Sequence, residues 1–104
     1  DTIMIEQSQL DTLKQKLQFG GITGKTIKFV IDEDQFIFVD TTESPMTIEE
    51  GRDDDADVTL KASKDTFVGI LNGTQDPNMA FMTGKLKVQG SMGFAMKLAA
   101  VLED

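Results

Sequence analysis

The sequence predicts an α/β (α+β) fold in which a five-stranded mixed sheet is covered on one face by helices, and three observations lead there. Leucines recur at helical spacing near the amino terminus, strand-like alternation dominates the middle of the chain, and the two periods interleave after Ser63. The resulting order is a helix, three strands, a fourth strand, two helices, a fifth strand and a closing helix, which a sheet with helices on one side accommodates. No internal repeat, linker or low-complexity tract interrupts it, and 104 residues suit a single domain, residues 1–104.

Taken in order, Glu6 to Leu17 sets Leu10, Leu13 and Leu17 on one helical face, and Gly20-Gly21 supplies a stop. Lys25 to Ile31 alternates Ile27, Phe29 and Ile31 with Thr26 and Lys28, and Gln35 to Val39 is again rich in β-formers. With Asp32-Glu33-Asp34 between them, these runs read as a hairpin. Met46-Thr47-Ile48 makes a short third strand that fades into Glu49-Glu50-Gly51, and Pro45 places it at an edge. Arg52 to Asp57 is an acidic, solvated loop before the strand Val58 to Lys61.

Ser63 then caps a helix carrying Phe67, Ile70 and Leu71 on one face, with Asp65 favourably placed for its dipole and Asn72-Gly73 at its end. Asp76 and Pro77 start a short helix as cap and first residue, and Gly84 closes it. Lys85 to Gln89 is a strand with Leu86 and Val88 inward. From Ser91, only Lys97 interrupts an otherwise apolar or small-residue helix running from Met92 to Leu102. A helix apolar nearly all round has to be covered on more than one side.

Composition removes several function classes. Eighteen acidic residues against ten basic ones give a formal charge of -8, which repels nucleic acid and anionic lipid at long range. There is no cysteine and no histidine, so the usual acyl-transfer triads, thiol dyads and zinc sites have no ligands or nucleophiles to work with. The missing thiols fit a reducing compartment. No run approaches the roughly 18 to 20 apolar residues of a membrane span, and no basic region followed by an apolar run opens the sequence, so a cytoplasmic protein without integral membrane association is expected.

Two motifs come close to known sites and fail on spacing. Asp53, Asp55 and Asp57 match the first three ligands of a calcium loop, but Val58 stands where glycine is needed and Lys64 where the bidentate glutamate belongs. Gly24-Lys25-Thr26 imitates the end of a phosphate-binding loop, yet Phe19 occupies the position of its first glycine and a strand follows. Asn72-Gly73-Thr74 is a sequon only for a secreted chain. No metal, cofactor or catalytic residue is expected.

The methionines are the more informative group. Met79, Met82, Met92 and Met96 pair at spacings of three and four, which puts each pair on one helical face. Such stripes commonly fill cores. Here, two helical runs this apolar, with Gly90 and Gly93, present more greasy surface than one face of a small sheet covers, and flexible thioethers adapt to ligands of varied shape.

From Asp57 onward the chain resembles the sterol carrier protein-2 (SCP2) domain family. Asp57-Val58-Thr59-Leu60 with Asp65-Thr66-Phe67 resembles its strand-to-helix passage. Asn72-Gly73 with Asp76-Pro77-Asn78-Met79-Ala80-Phe81-Met82 resembles the segment where one helix ends and the next begins. Most specific is Gly84-Lys85-Leu86-Lys87-Val88-Gln89-Gly90-Ser91-Met92, followed by Ala95-Met96-Lys97-Leu98. The resemblance implies a hydrophobic tunnel between sheet and helices that takes fatty acids, fatty acyl-CoA or sterols, with no reaction catalysed by the domain itself.

It also implies a fused or partner enzyme, or transient membrane contact, as further associations. Eukaryotic members often end in a peroxisomal tripeptide, whereas this sequence ends Leu102-Glu103-Asp104, and Lys61, Lys64, Lys85, Lys87 and Lys97 are scattered rather than gathered for an acyl-CoA's phosphates. On this basis the expected lining is Phe38, Phe67, Leu71, Met79, Met82, Val88, Met92 and Met96, with Gln89 as a polar group near the mouth. The alternative is an interaction or scaffold module of a larger enzyme with a filled core. A cavity of about 300 Å³ or more separates the two.

Overall fold

The computed structural model describes residues 5–103. Four helices and five strands follow in the expected order: α1 (Gln7–Phe19), β1 (Thr26–Ile31), β2 (Gln35–Asp40), β3 (Thr47–Glu50), β4 (Val58–Ala62), α2 (Lys64–Asn72), α3 (Pro77–Met82), β5 (Leu86–Gly90) and α4 (Met92–Glu103). The strands form one mixed sheet in the order β3-β2-β1-β4-β5. β1 lies at its centre, antiparallel to β2 and parallel to β4. The third strand extends beyond the expected Ile48 to Glu50, which pairs with Ile37. Edge strands tolerate such exposed charges, so acidic side chains do not end the pairing.

The alternation decides what each face does. Ile27, Phe29 and Ile31, Ile37 and Val39, and Val58 and Leu60 join the leucines of α1 and Leu98 of α4 in one buried cluster, so all four helices cover this face. Residues of the other parity, Lys28, Phe38, Thr59 and Gln89, form one row across the opposite face. That face has its own cover. The loop from Gly51 to Asp57, expected to be fully solvated, crosses it on the way from edge strand β3 to β4. Its Arg52 guanidinium sits 4.1 Å from the Phe38 ring centre and its Asp53 pairs with Lys28 at 2.6 Å.

The caps expected for α2 and α3 are present, Ser63 Oγ accepting from Thr66 N–H and Asp76 from Asn78 N–H, and Ser91, where α4 was expected to start, caps it by accepting from Phe94 N–H. Each satisfies a donor that the helix itself leaves open. One tie was not visible in the sequence. Asp32, in the left-handed region at φ 53, accepts from Lys64 N–H and so pins the hairpin turn to the start of α2.

Asp57 fastens three elements together. Its carboxylate accepts from the Thr26 N–H at 2.9 Å and the Thr26 hydroxyl at 3.2 Å, while its carbonyl accepts from Ser91 N–H ahead of α4. The Thr26 amide, aided by the hydroxyl and opposed by partial desolvation, holds this carboxyl below its ordinary value of 3.8. A carboxyl depressed in the folded state contributes stability above the unfolded value and loses it as pH falls through the folded one. Between pH 5 and pH 2, Asp57→Asn is therefore expected to lose less melting temperature than the parent chain. Equal acid slopes in thermal melts would contradict this.

Candidate functional site

A cleft opens between the helix-covered face of the sheet and α2, α3 and α4. Phe29, Ile31, Leu60 and Ala62 form its floor, Leu86 and Val88 of edge strand β5 one side, and Phe67 and Ile70 of α2 a wall. The rings of Phe29 and Phe67 meet at 5.2 Å, tilted by 56°, in the edge-biased geometry that aromatic quadrupoles favour. α3 supplies the lip through Pro77, Asn78 and Phe81. α4 supplies the roof through Met92, Ala95, Met96, Ala99 and Leu102. Among these lining residues Asn78 alone has a polar side chain, and none is charged.

The rim is unusual for a surface. Phe81, Met92 and Met96 line the cleft while remaining 45%, 46% and 67% exposed, and Met79 and Met82 stand out beside them on α3. Large apolar side chains gathered at one opening mark a place where something apolar docks or enters. The free space in the cleft is about 50 Å³, well short of the roughly 300 Å³ of a ligand pocket. The described residues therefore enclose a narrow, apolar slot and not the open tunnel that was expected.

Of the residues expected to line it, Phe67, Val88, Met92 and Met96 do. Leu71 is buried in the adjoining core rather than at the cleft surface. Met79 and Met82 share a face as their spacing requires, but α3 buries Pro77 and Ala80 instead, which turns both methionines outward. Phe38 and Gln89 lie on the other side of the sheet. Their neighbours Ile37, Val39 and Val88 point into the core, and alternation sends Phe38 and Gln89 the opposite way. Phe38 is buried there by Arg52.

The other twelve lining residues stand outside the expected lining: Phe29, Ile31, Leu60, Ala62, Ile70, Pro77, Leu86 and Leu102, expected only as core or strand and helix positions, and Asn78, Phe81, Ala95 and Ala99. Phe81 follows Asn78 by three positions, a signal for a shared helix face, whereas the small alanines offer none. The lysines stay clear of the cleft: Lys61, Lys85 and Lys87 share a separate hollow with Asp32 and Glu33, and Lys97 lies in a groove against α1.

Against known proteins, the model of the SCP-2 sterol transfer family matches residues 5–103. This chain belongs to the SCP-2 sterol transfer family. Its fold is that of solved family members. The palmitated SCP2L2 of Aedes aegypti superposes with a TM-score of 0.77 over 97% of this chain and 96% of that one, at 19% identity. Sterol carrier protein 2 of Yarrowia lipolytica, in its apo form, gives 0.64 at 26% identity, over 94% and 79% of the two chains.

Stretches similar to this chain also lie inside longer proteins. A 51-residue stretch, 49% of this chain, is 47% identical to hydroxysteroid dehydrogenase-like protein 2 of Bos taurus and spans only 12% of that protein. A variant of the sec-alkyl sulfatase PisA1 superposes with a TM-score of 0.74 at 24% identity, over 97% of this chain and 17% of its own. Among the described residues, no helix is long and apolar enough to cross a membrane and no group of three or more His, Cys, Asp or Glu is placed to hold a metal.

Proposed function

We propose that this domain binds apolar lipids, among them fatty acids, fatty acyl-CoA and sterols, in the cleft between its sheet and α2–α4, and passes them on without chemical change. The observation that carries this reading is the slot itself, lined by apolar side chains with Asn78 as the one polar group and rimmed by exposed Phe81, Met92 and Met96. Burial of a lipid tail contributes about 0.8 kcal/mol per methylene, so specificity resides in length and shape more than in polar contacts. Methionine's three rotatable bonds let the rim part without breaking any hydrogen bond. Family membership and the likeness of fold to a palmitated relative support the same reading.

The slot of about 50 Å³ implies that α3 and α4 move outward on loading. The same narrowness favours a second reading, a closed interaction module within a larger enzyme. Met96→Trp separates them, because an indole at the mouth blocks entry while its site, 67% exposed, tolerates the added volume. Affinity for a fluorescent fatty acid is expected to fall about tenfold or more with an unchanged circular dichroism spectrum, a loss of about 1.4 kcal/mol. Parent protein that binds no lipid probe at all favours the interaction module.

A further inference from the structure

We infer that Asn78 engages the polar head of the bound lipid, and that the mouth around it selects a neutral hydroxyl over a carboxylate. The inference rests on the lipid-binding reading above and specifies its ligand. Asn78 is exposed at the lip of the cleft and contributes its lone polar side chain. Its backbone N–H is engaged by Asp76, but among the hydrogen bonds found for the described residues none involves its side-chain amide. An amide both donates and accepts, which matches a hydroxyl in both roles.

Charge decides the second half. Among the described residues no cation lines the cleft, and Lys61, Lys85, Lys87 and Lys97 occupy other concavities. Asp76, two residues before Asn78, keeps a carboxylate at this end of α3, its oxygen 2.9 Å from the Asn78 backbone N. It sits on a chain of formal charge -8. A carboxylate head at this mouth meets repulsion and no counter-ion, whereas a hydroxyl meets a matched partner.

The test uses three pyrene-labelled probes of equal chain length, an alkane, an alcohol and an acid, titrated at pH 7 against the parent chain, Asn78→Leu and Asp76→Asn. Asn78→Leu is expected to weaken the alcohol about three- to tenfold relative to the alkane. Asp76→Asn, which keeps a capping side chain, is expected to strengthen the acid several-fold and leave the alcohol as it was. Melting curves establish that both variants are folded. Unchanged alcohol binding in Asn78→Leu, or an acid bound as tightly as the alcohol by the parent chain, overturns the inference while the lipid-binding reading stands. Failure of all three probes, the alkane included, overturns both.

Discussion

Replacing Gly90 by alanine is expected to unfold much of the population at temperatures where the parent chain is intact. Gly90 ends β5 opposite Val58 with φ at 100°, a region in which side chains are strained. A Cβ there falls 2.3 Å from the Asp57 carbonyl oxygen and 3.1 Å from the Val58 Cα, both backbone atoms that cannot rotate away. Strain of this kind costs about 1–3 kcal/mol before any clash, so a total near 3 kcal/mol and a fall of more than about 10 °C in melting temperature are expected.

The consequence reaches the cleft. The obstructed oxygen is the one that receives Ser91 N–H, and Ser91 caps α4, the roof. Surviving folded protein therefore has a displaced Met92 and Met96 and weakened lipid binding. Gly93, one turn further on, has nothing within 4 Å of its would-be Cβ. Gly93→Ala is expected to be neutral or to stabilise by up to about 1 kcal/mol, and thermal melts of the two variants side by side make the comparison.

Phe67→Ala joins a loss of stability to a gain of space. Phe67 is 4% exposed, packs against Phe29 and forms the α2 wall of the cleft. Its truncation is expected to cost about 3–5 kcal/mol. The void faces the slot, so a lipid can fill it. Because a ligand stabilises the state it binds in proportion to the logarithm of its affinity, the variant should gain more melting temperature from added lipid than the parent does.

Leu71→Ala is the matched control. Leu71 is equally buried, at 4% exposure, yet lies off the cleft in the adjoining core. Its truncation is expected to cost about 2–5 kcal/mol with no added benefit from lipid. Equal lipid-linked gains in Phe67→Ala and Leu71→Ala, read by thermal shift, would mean that Phe67 does not face the ligand.

How much of this was legible varies from element to element. The five strands, the four helices and the caps Ser63 and Asp76 were readable because periodicity and capping chemistry are local. The cleft-facing positions of Phe67, Val88, Met92 and Met96 follow from the same periods. Phe38 and Gln89 were placed on the wrong side although alternation with Ile37, Val39 and Val88 already excluded them. Burial of Phe38 arises from a strap that the sequence presents only as a run of acids.

α3 illustrates a different limit. Met79 and Met82 correctly share a face, but in a six-residue helix only the tertiary packing of Pro77 and Ala80 decides which face is inward. The width of the cleft depends on how α4 settles against β4 and β5. No local pattern encodes that distance.

The most direct test is a backbone amide NMR titration of the labelled domain with oleic acid and, separately, oleyl alcohol. A cleft that opens between sheet and helices predicts saturable shifts at Ala62, Phe67, Asn78, Met92 and Met96, with Lys28, Phe38 and Gln89 across the sheet unmoved. No saturable shift with either lipid, or shifts centred on the strap-covered face, would contradict it.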